Sequence, residues 1–460
     1  MVYEKSVLVK LKNYESILNN FKKFNYLQNA LYFSVLILFI FFTSLRNPQI
    51  LFEGRFLAEE GSLFWTYSLN HTVLETLLYT PVIQGYYALN INLQILLSSI
   101  FPLTLAPLVT VWSSLLISII PSFLYFSLNN VDNNRSIFDL IVSVTLLFLP
   151  SLNFLEIFAN SINVQTYLGV STFIILIYGL NIELYKYDFF LKILLILGFF
   201  SGYYSLILLP LFIVRFTIEK NKKLVFPIVF GFISIFINLN ILYFTFKNSF
   251  LGEGKLDGKL EYSYFLEIIK KSILINSTSE KYFQVLDINN LLLAVFIVAI
   301  CIFLLKNKQI IFLYILIAFF LEVFLVFIGQ SGMTFDQRYA VVAPTIFYIL
   351  IVNMFKKFKF GKYLVSIFLI IGIFNLNHQR SEYFINCYEY CLSWKTQILN
   401  LNSNPLIVHW PLGPGDPYWI TDFKNLKPTP APFQIDNFND DFQKFYELNL
   451  IDIVNQNFSK

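Results

Sequence analysis

The 460-residue chain is short of charge: Asp, Glu, Lys and Arg make up 13% of it, against 57% hydrophobic residues. So little polar surface cannot cover a water-soluble globule of this length, so most of the apolar residues must face lipid. Cysteine and histidine are equally scarce, at three each. Three cysteines in a long chain rule out a disulfide framework or a cysteine-built metal cluster. Cys301 lies inside an apolar run and reads as a buried structural thiol, whereas Cys387 and Cys391, four apart, could meet on one helical face and oxidise. His71, His378 and His409 are too scattered for a metal triad. No glycine-rich phosphate loop is apparent, which argues against a nucleotide-bound substrate, and nothing supports nucleic-acid binding. No period of about 20–50 residues repeats, and no inverted halves of the transporter kind stand out.

What is present is a series of apolar runs long enough to cross lipid as helices, near 30–45, 106–127, 137–152, 166–181, 224–246, 289–305, 309–329, 339–355 and 363–377. Residues 83–100 mix Asn90, Asn92 and Gln94 into an apolar pattern and read as an amphipathic helix lying at the membrane surface. Residues 189–214 are long for one crossing and carry Gly198, Ser201 and Gly202 at their centre, with Pro210 later; they read as two short half-helices joined by a bend. The expected fold is an all-α polytopic membrane bundle of about 10–11 transmembrane helices, including this broken or re-entrant pair. Segment 1–29 precedes the bundle of 30–377, whose first outer loop is 46–105, and 378–460 forms a small outer-face tail. Lys5, Lys10, Lys12, Lys22 and Lys23 precede the first run and no small-residue cleavage site follows it, so the run is expected to be a retained anchor.

Charge decides between a bend and a single crossing at 189–214, because Lys and Arg crowd cytoplasmic connections. With the N-terminus inside and 189–214 entering and returning, the inner segments 1–29, 128–136, 182–192, 215–223, 306–308 and 355–362 hold 18 of the 33 Lys and Arg. A single crossing would move Lys220-Asn221-Lys222-Lys223, Lys306-Asn307-Lys308 and Lys356-Lys357 outside. The bend therefore fits better. It places the polar loops and the tail on one face, with a bacterial inner membrane, a cytoplasmic N-terminus and an external C-terminus as the expected setting.

That outer face carries Gly54-Arg55-Phe56-Leu57-Ala58-Glu59-Glu60-Gly61, a charged segment amid aromatic and apolar neighbours. Adjacent carboxylates here suit a general base, a metal ligand or plain solvated loop charge; apolar flanks would hold them against the membrane, and partial burial moves a carboxylate toward proton-transfer chemistry. Several short motifs follow in order. They are Arg55-x-x-x-Glu59-Glu60-Gly61, Gly85-Tyr86-Tyr87 with Pro102, Glu156 through Asn160 with Asn163 and Gln165, Gly198-Phe199-Phe200-Ser201-Gly202 with Leu209-Pro210, Arg338-Tyr339, and Trp410-Pro411-Leu412-Gly413-Pro414. In order and sidedness they resemble bacterial members of the GT-C superfamily, membrane glycosyltransferases that use polyprenyl-phosphate-linked sugars, over most of residues 30–420.

The resemblance implies that an acidic residue of the first outer loop, Glu59 or Glu60, is the catalytic base. Many relatives have Asp there, and the Glu-Glu pair leaves open which carboxylate acts. Arg338, Arg55 and Arg380 are the candidates to hold the leaving lipid phosphate, a role guanidinium geometry suits. Arg338 equally fits an interfacial anchor, and Arg55 a partner for a nearby Glu. Glu156, Asn160, Asn163 and Gln165 are the candidate sugar and acceptor contacts, although such amides also cap helices. The residues fix no cofactor; a divalent metal could sit on Glu59 or Glu60, with further ligands drawn from elsewhere. Glu322, inside the run 309–329, is a functional or structural acid within the membrane. The expected partners are a polyprenyl-phosphate sugar, membrane lipid and a glycan, lipid or protein acceptor. Two other readings share this sidedness: a flippase or transporter of a lipid-linked glycan, and a glycan polymerase or ligase using the outer arginines Arg46, Arg55, Arg338 and Arg380.

Overall fold

The computed structural model describes residues 27–44, 48–56, 59–81, 84–128, 137–148, 160–181, 185–247, 268–269, 310–329, 341–356, 358, 360–363, 365–366, 369–370, 393–403, 406–410, 419–422, 424 and 448–458. The expected run at 289–305 and the connection at 330–338 lie outside these residues. So does nearly all of the expected loop 247–288.

The described chain is helical apart from one two-stranded antiparallel sheet, Leu406–Trp410 paired with Trp419–Asp422. Ten helices carry the architecture and are numbered in chain order: α1 Leu27–Ser44, α2 Leu89–Ser99, α3 Ala106–Leu128, α4 Ile137–Phe148, α5 Gln165–Tyr178, α6 Tyr185–Phe199, α7 Leu209–Glu219, α8 Val225–Lys247, α9 Ile310–Gly329 and α10 Val342–Phe355. Among the described residues, four helical stretches are long and apolar enough to cross a bilayer: Leu27–Ser44, Ala106–Leu128, Lys222–Lys247 and Ile310–Ile328. The chain is a membrane protein.

Which helices sit inside the bundle follows from their composition. α5 is apolar or small on every side, and each of its residues is buried against neighbours that include α3, α6, α9 and α10. α8 is different. Its Val225, Val229, Phe232, Phe236, Leu239, Tyr243 and Phe246 recur every three or four residues along one face, and each is exposed. A stripe of that length is an association surface in water and an ordinary lipid contact in a bilayer. On its other face, α8 buries Ser234 and Asn238, whose polar groups reach Phe199 O and the Tyr87 backbone.

Two ends of the bundle are defined by the bonds that close them. At one end, Asn221 Nδ2 donates to Leu180 O at 2.9 Å, Asn353 Nδ2 donates to the Tyr178 hydroxyl at 2.7 Å, and Lys356 Nζ pairs with Asp139 Oδ1 at 2.9 Å. Asp139 occupies the first turn of α4 and Lys356 caps the end of α10, so each charge also opposes the partial charge of its own helix terminus. At the other end lie the turns of the first loop, residues 160–164, and the tip between α6 and α7.

The broken helix expected at 189–214 is present, and the bond pattern explains why it bends. α6 starts beside Lys222 and Lys223 and runs to the far end, where Leu89 N–H donates to Phe200 O and Asn90 N–H to Ser201 Oγ. The chain then reverses through Gly202 and returns by Tyr203–Leu206 and α7 to Lys220. Gly202 has φ +102°, and the Gln165 amide oxygen lies where a Cβ would stand, so the reversal requires glycine. Pro210 falls in the first turn of α7, where its missing N–H costs nothing. Both ends of this hairpin therefore lie together, with the lysines, opposite the first loop.

One expectation needs correction. α2 does not turn its amides to water: Asn90, Asn92 and Gln94 are buried, with Gln94 Oε1 accepting from Ser113 and Ser114 of α3, while Leu93, Leu97 and Ile100 are exposed. Its polar side is spent on protein and its apolar side faces outward. The tail, expected as a small outer-face segment, packs on the bundle in its described residues. Trp394 is buried and its indole N–H donates to Leu103 O at 2.7 Å; Leu450 N–H donates to Leu78 O, and the helix Leu450–Phe458 packs on α8.

Candidate functional site

The site is built on the first loop, whose path a buried aromatic cluster sets. Phe56, Trp65 and Trp394 meet pairwise with ring centroids 4.9–5.3 Å apart, and Phe64 packs edge-on against Tyr79. These rings pin both flanks of a π-helical turn, Glu60–Trp65, all of whose residues are buried. Such widened turns are rare and recur at functional sites.

The turn separates the two carboxylates. Glu59 caps its start and remains partly exposed, whereas Glu60 is wholly buried. Glu60 Oε1 accepts from the Ser161 hydroxyl at 2.6 Å and, at longer range, from the Ser161 N–H at 3.4 Å. The first bond has the length of a charge-assisted one. Asn90 Nδ2 donates to Ser161 O at 2.8 Å, and the Asn90 N–H donates to Ser201 Oγ at 3.0 Å. One chain of bonds thus joins the first loop, α2, the 160–164 connection and the α6–α7 tip.

A second layer lies beside it. Gln165 Nε2 donates to the Tyr86 hydroxyl at 3.0 Å, Tyr203 Oη donates to Gly85 O at 2.6 Å, and the Tyr86 and Tyr203 rings meet edge-on. Tyr87 Oη donates to Leu77 O at 2.6 Å; burial pushes this phenol up to about 12, so it stays a donor at any physiological pH. The motifs around Gly85-Tyr86-Tyr87, Asn160–Gln165 and Gly198–Gly202 are therefore brought together in space.

The expected site residues fall into three groups. Glu60, Arg55, Asn160, Asn163 and Gln165 are buried at this end, and Glu59 lies at its surface. Asn160 spends its side-chain oxygen on the Ile162 N–H at 2.8 Å, a local turn bond rather than an open ligand contact. Glu156, Arg338 and Arg380 lie outside the described residues, as do Cys301, Cys387, Cys391 and His378. Among the described residues, no group of three or more His, Cys, Asp or Glu side chains forms a metal site.

Ser161 and Asn90 are the participants sequence reasoning missed. Ser161 gave no signal, being a common residue in a short connection. Asn90 is visible in the sequence as one of three amides in an apolar helix, but the pattern does not say which side of that helix meets protein. The Asn90 Oδ1 is buried without a hydrogen-bond partner among the described residues, an acceptor at the junction. The chain matches no protein-family model, no curated protein and no solved structure.

Proposed function

We propose that the chain is a membrane glycosyltransferase that moves a sugar from a polyprenyl-phosphate donor to a glycan, lipid or protein acceptor at the face opposite its lysine-rich end. The observation that carries this reading is the Glu60–Ser161 bond, which fastens the acidic turn to the second connection and leaves Glu59 partly exposed beside it. In this reading Glu59 is the base and Glu60 a positioning residue. The acceptor hydroxyl gives its proton to Glu59 while its oxygen bonds to the anomeric carbon. The bond from that carbon to the phosphate oxygen breaks, and the electron pair leaves with the lipid phosphate. Arg55, Arg338 and Arg380 are the cations assigned to that phosphate, and Glu156, Asn163, Gln165, the side-chain N–H of Asn160 and the Asn90 Oδ1 the groups assigned to sugar and acceptor hydroxyls.

A positioned base contributes about 10²–10⁴-fold. Membranes carrying Glu59→Gln should transfer sugar from a panel of polyprenyl-phosphate hexoses and pentoses slower by that factor, while Glu60→Gln, whose amide oxygen can still accept from Ser161, loses much less. Unchanged transfer in both variants would overturn the assignment. A transporter of a lipid-linked glycan is the second reading, favoured by Glu322. That carboxylate is fully buried within α9, and neither oxygen is hydrogen-bonded among the described residues. Flipping of a lipid-linked glycan in vesicles without sugar transfer would select it.

A further inference from the structure

α8 serves as a ruler for depth. Lys222 and Lys223 precede it, Lys247 ends it, and no charged residue lies between. With its exposed apolar stripe, that pattern fits one crossing of a hydrocarbon core about 30 Å thick. Contacts to α6 and the first loop are graded along it: the Lys192 ammonium stands over the Phe226 ring, Phe199 O accepts from Ser234 Oγ, and the Tyr87 N–H donates to Asn238 Oδ1. The rise from Val225 to Asn238 is about 20 Å, and from Asn238 to Lys247 about 14 Å. Tyr87 and the nearby tip between α6 and α7 therefore lie well inside the crossing.

α2 starts at that level and climbs away from the lysines. At its foot the Leu89 N–H donates to Phe200 O; halfway up, Gln94 Oε1 accepts from Ser113 and Ser114 of α3; beyond its end, Leu103 O accepts from the Trp394 indole just before α3 begins. α3 runs the other way and reaches the lysine-rich end, where Tyr125 meets Tyr178. The two helices form an antiparallel hairpin. From Leu89 to Ile100 α2 rises about 16 Å, close to the length of α8 that remains beyond Asn238. A helix lying flat on the membrane would turn a polar face to water. α2 has none to turn: its amides are buried against protein, the Ser99 hydroxyl donates back to Leu96 O, and Leu93, Leu97 and Ile100 line the exposed face. Residues 76–131 include no charged side chain, so the hairpin brings no charge into hydrocarbon.

We infer that α2 stands upright in the leaflet remote from the lysines, with Leu93, Leu97 and Ile100 against acyl chains. α6 and α2, meeting end to end at Phe200 and Leu89, then cross the membrane in two pieces. Depth selects acyl chains as the occupant, because Leu239, Tyr243 and Phe246 of α8 are exposed over the same stretch. The bonds joining Asn90, Ser161 and Glu60 sit at the foot of α2, below the headgroups rather than in the water above them. This placement is independent of the chemistry assigned to Glu59.

The test uses the full chain with its three native cysteines replaced, carrying Leu93→Cys, Leu97→Cys or Ile100→Cys and reconstituted in phosphatidylcholine vesicles. A bimane on each cysteine is quenched by phosphatidylcholine bearing a nitroxide either near the headgroup or deep in the acyl chain. Position 93 should respond more to the deep nitroxide and position 100 more to the shallow one, since about 10 Å of rise separates them. A water-soluble maleimide should label all three at least about tenfold more slowly than Asn70→Cys, because hydrocarbon suppresses the thiolate that reacts. The three side chains are exposed, so each variant should melt with the cysteine-free parent. Stronger shallow than deep quenching at all three positions would overturn the upright placement, and maleimide labelling as fast as at position 70 would overturn contact with lipid. Loss of quenching by both nitroxides, with cross-links forming between chains, would assign the face to a second copy and overturn the proposal as well.

Discussion

Glu60 is a carboxylate taken fully out of water that accepts a short bond from the Ser161 hydroxyl, and removing the donor of such a buried bond costs more than the bond itself is worth. Ser161→Ala should therefore destabilise the protein by about 1.5–3 kcal/mol. Glu60→Gln, which keeps an acceptor in place, should be milder. Thermal denaturation in detergent distinguishes them, and equal melting of all three proteins would show that the bond positions nothing. Gly202 supports a second prediction at this scale. Gly202→Ala would force a side chain into a backbone conformation open to glycine alone and against the Gln165 amide, a cost of order 1–3 kcal/mol before any clash. Gly85→Ala is the control: φ is also positive, at +73°, but the space around it is open apart from ordinary contact with Leu242. Gly202→Ala should melt lower than Gly85→Ala.

At the scale of elements, the sequence disclosed apolar shafts better than it disclosed what lies between them. α3, α8 and α9 fall close to the runs expected at 106–127, 224–246 and 309–329, because a continuous apolar stretch has few alternatives to a lipid-length helix. The break in 189–214 was legible for a related reason: Gly198, Ser201, Gly202 and Pro210 are poor helix interior residues, and lysines at both ends demanded a return. α2 was misjudged because periodicity reveals that a helix has two faces without revealing which faces protein. In a membrane protein the interior is often the more polar side, and the buried Asn90, Asn92 and Gln94 obey that inversion. α8 provides the corresponding test. Phe236 lies at its midpoint and is 57% exposed, so Phe236→Arg would be harmless on a soluble surface. Facing lipid, it should cost about 3 kcal/mol of membrane insertion, measured as the fraction resisting carbonate extraction. Full retention in the membrane fraction would show that α8 does not meet hydrocarbon.

Among the described residues, the molecule divides its chemistry by end. Glu60, Ser161, Asn90, Ser201 and the Tyr86–Tyr203 pair gather at one, and Lys192, Lys220, Lys222, Lys223 and Lys356 at the other. Charge counting anticipated this partition from the sequence alone. The Glu60–Ser161 bond was beyond its reach, since the partners are 101 residues apart and neither type is unusual. In the tail, a polar and Pro-rich composition conceals that Trp394 completes the aromatic cluster under the acidic turn. The proposed chemistry needs this partition to coincide with the two sides of the membrane.

Sided labelling measures that coincidence directly. Asn70→Cys lies exposed in the first loop and Lys222→Cys at the opposite end, each to be placed in a chain whose three native cysteines are replaced. A membrane-impermeant maleimide applied to intact cells should label the cysteine at position 70 and reach that at 222 only after permeabilisation. Labelling of both in intact cells, or of 222 alone, would contradict the account.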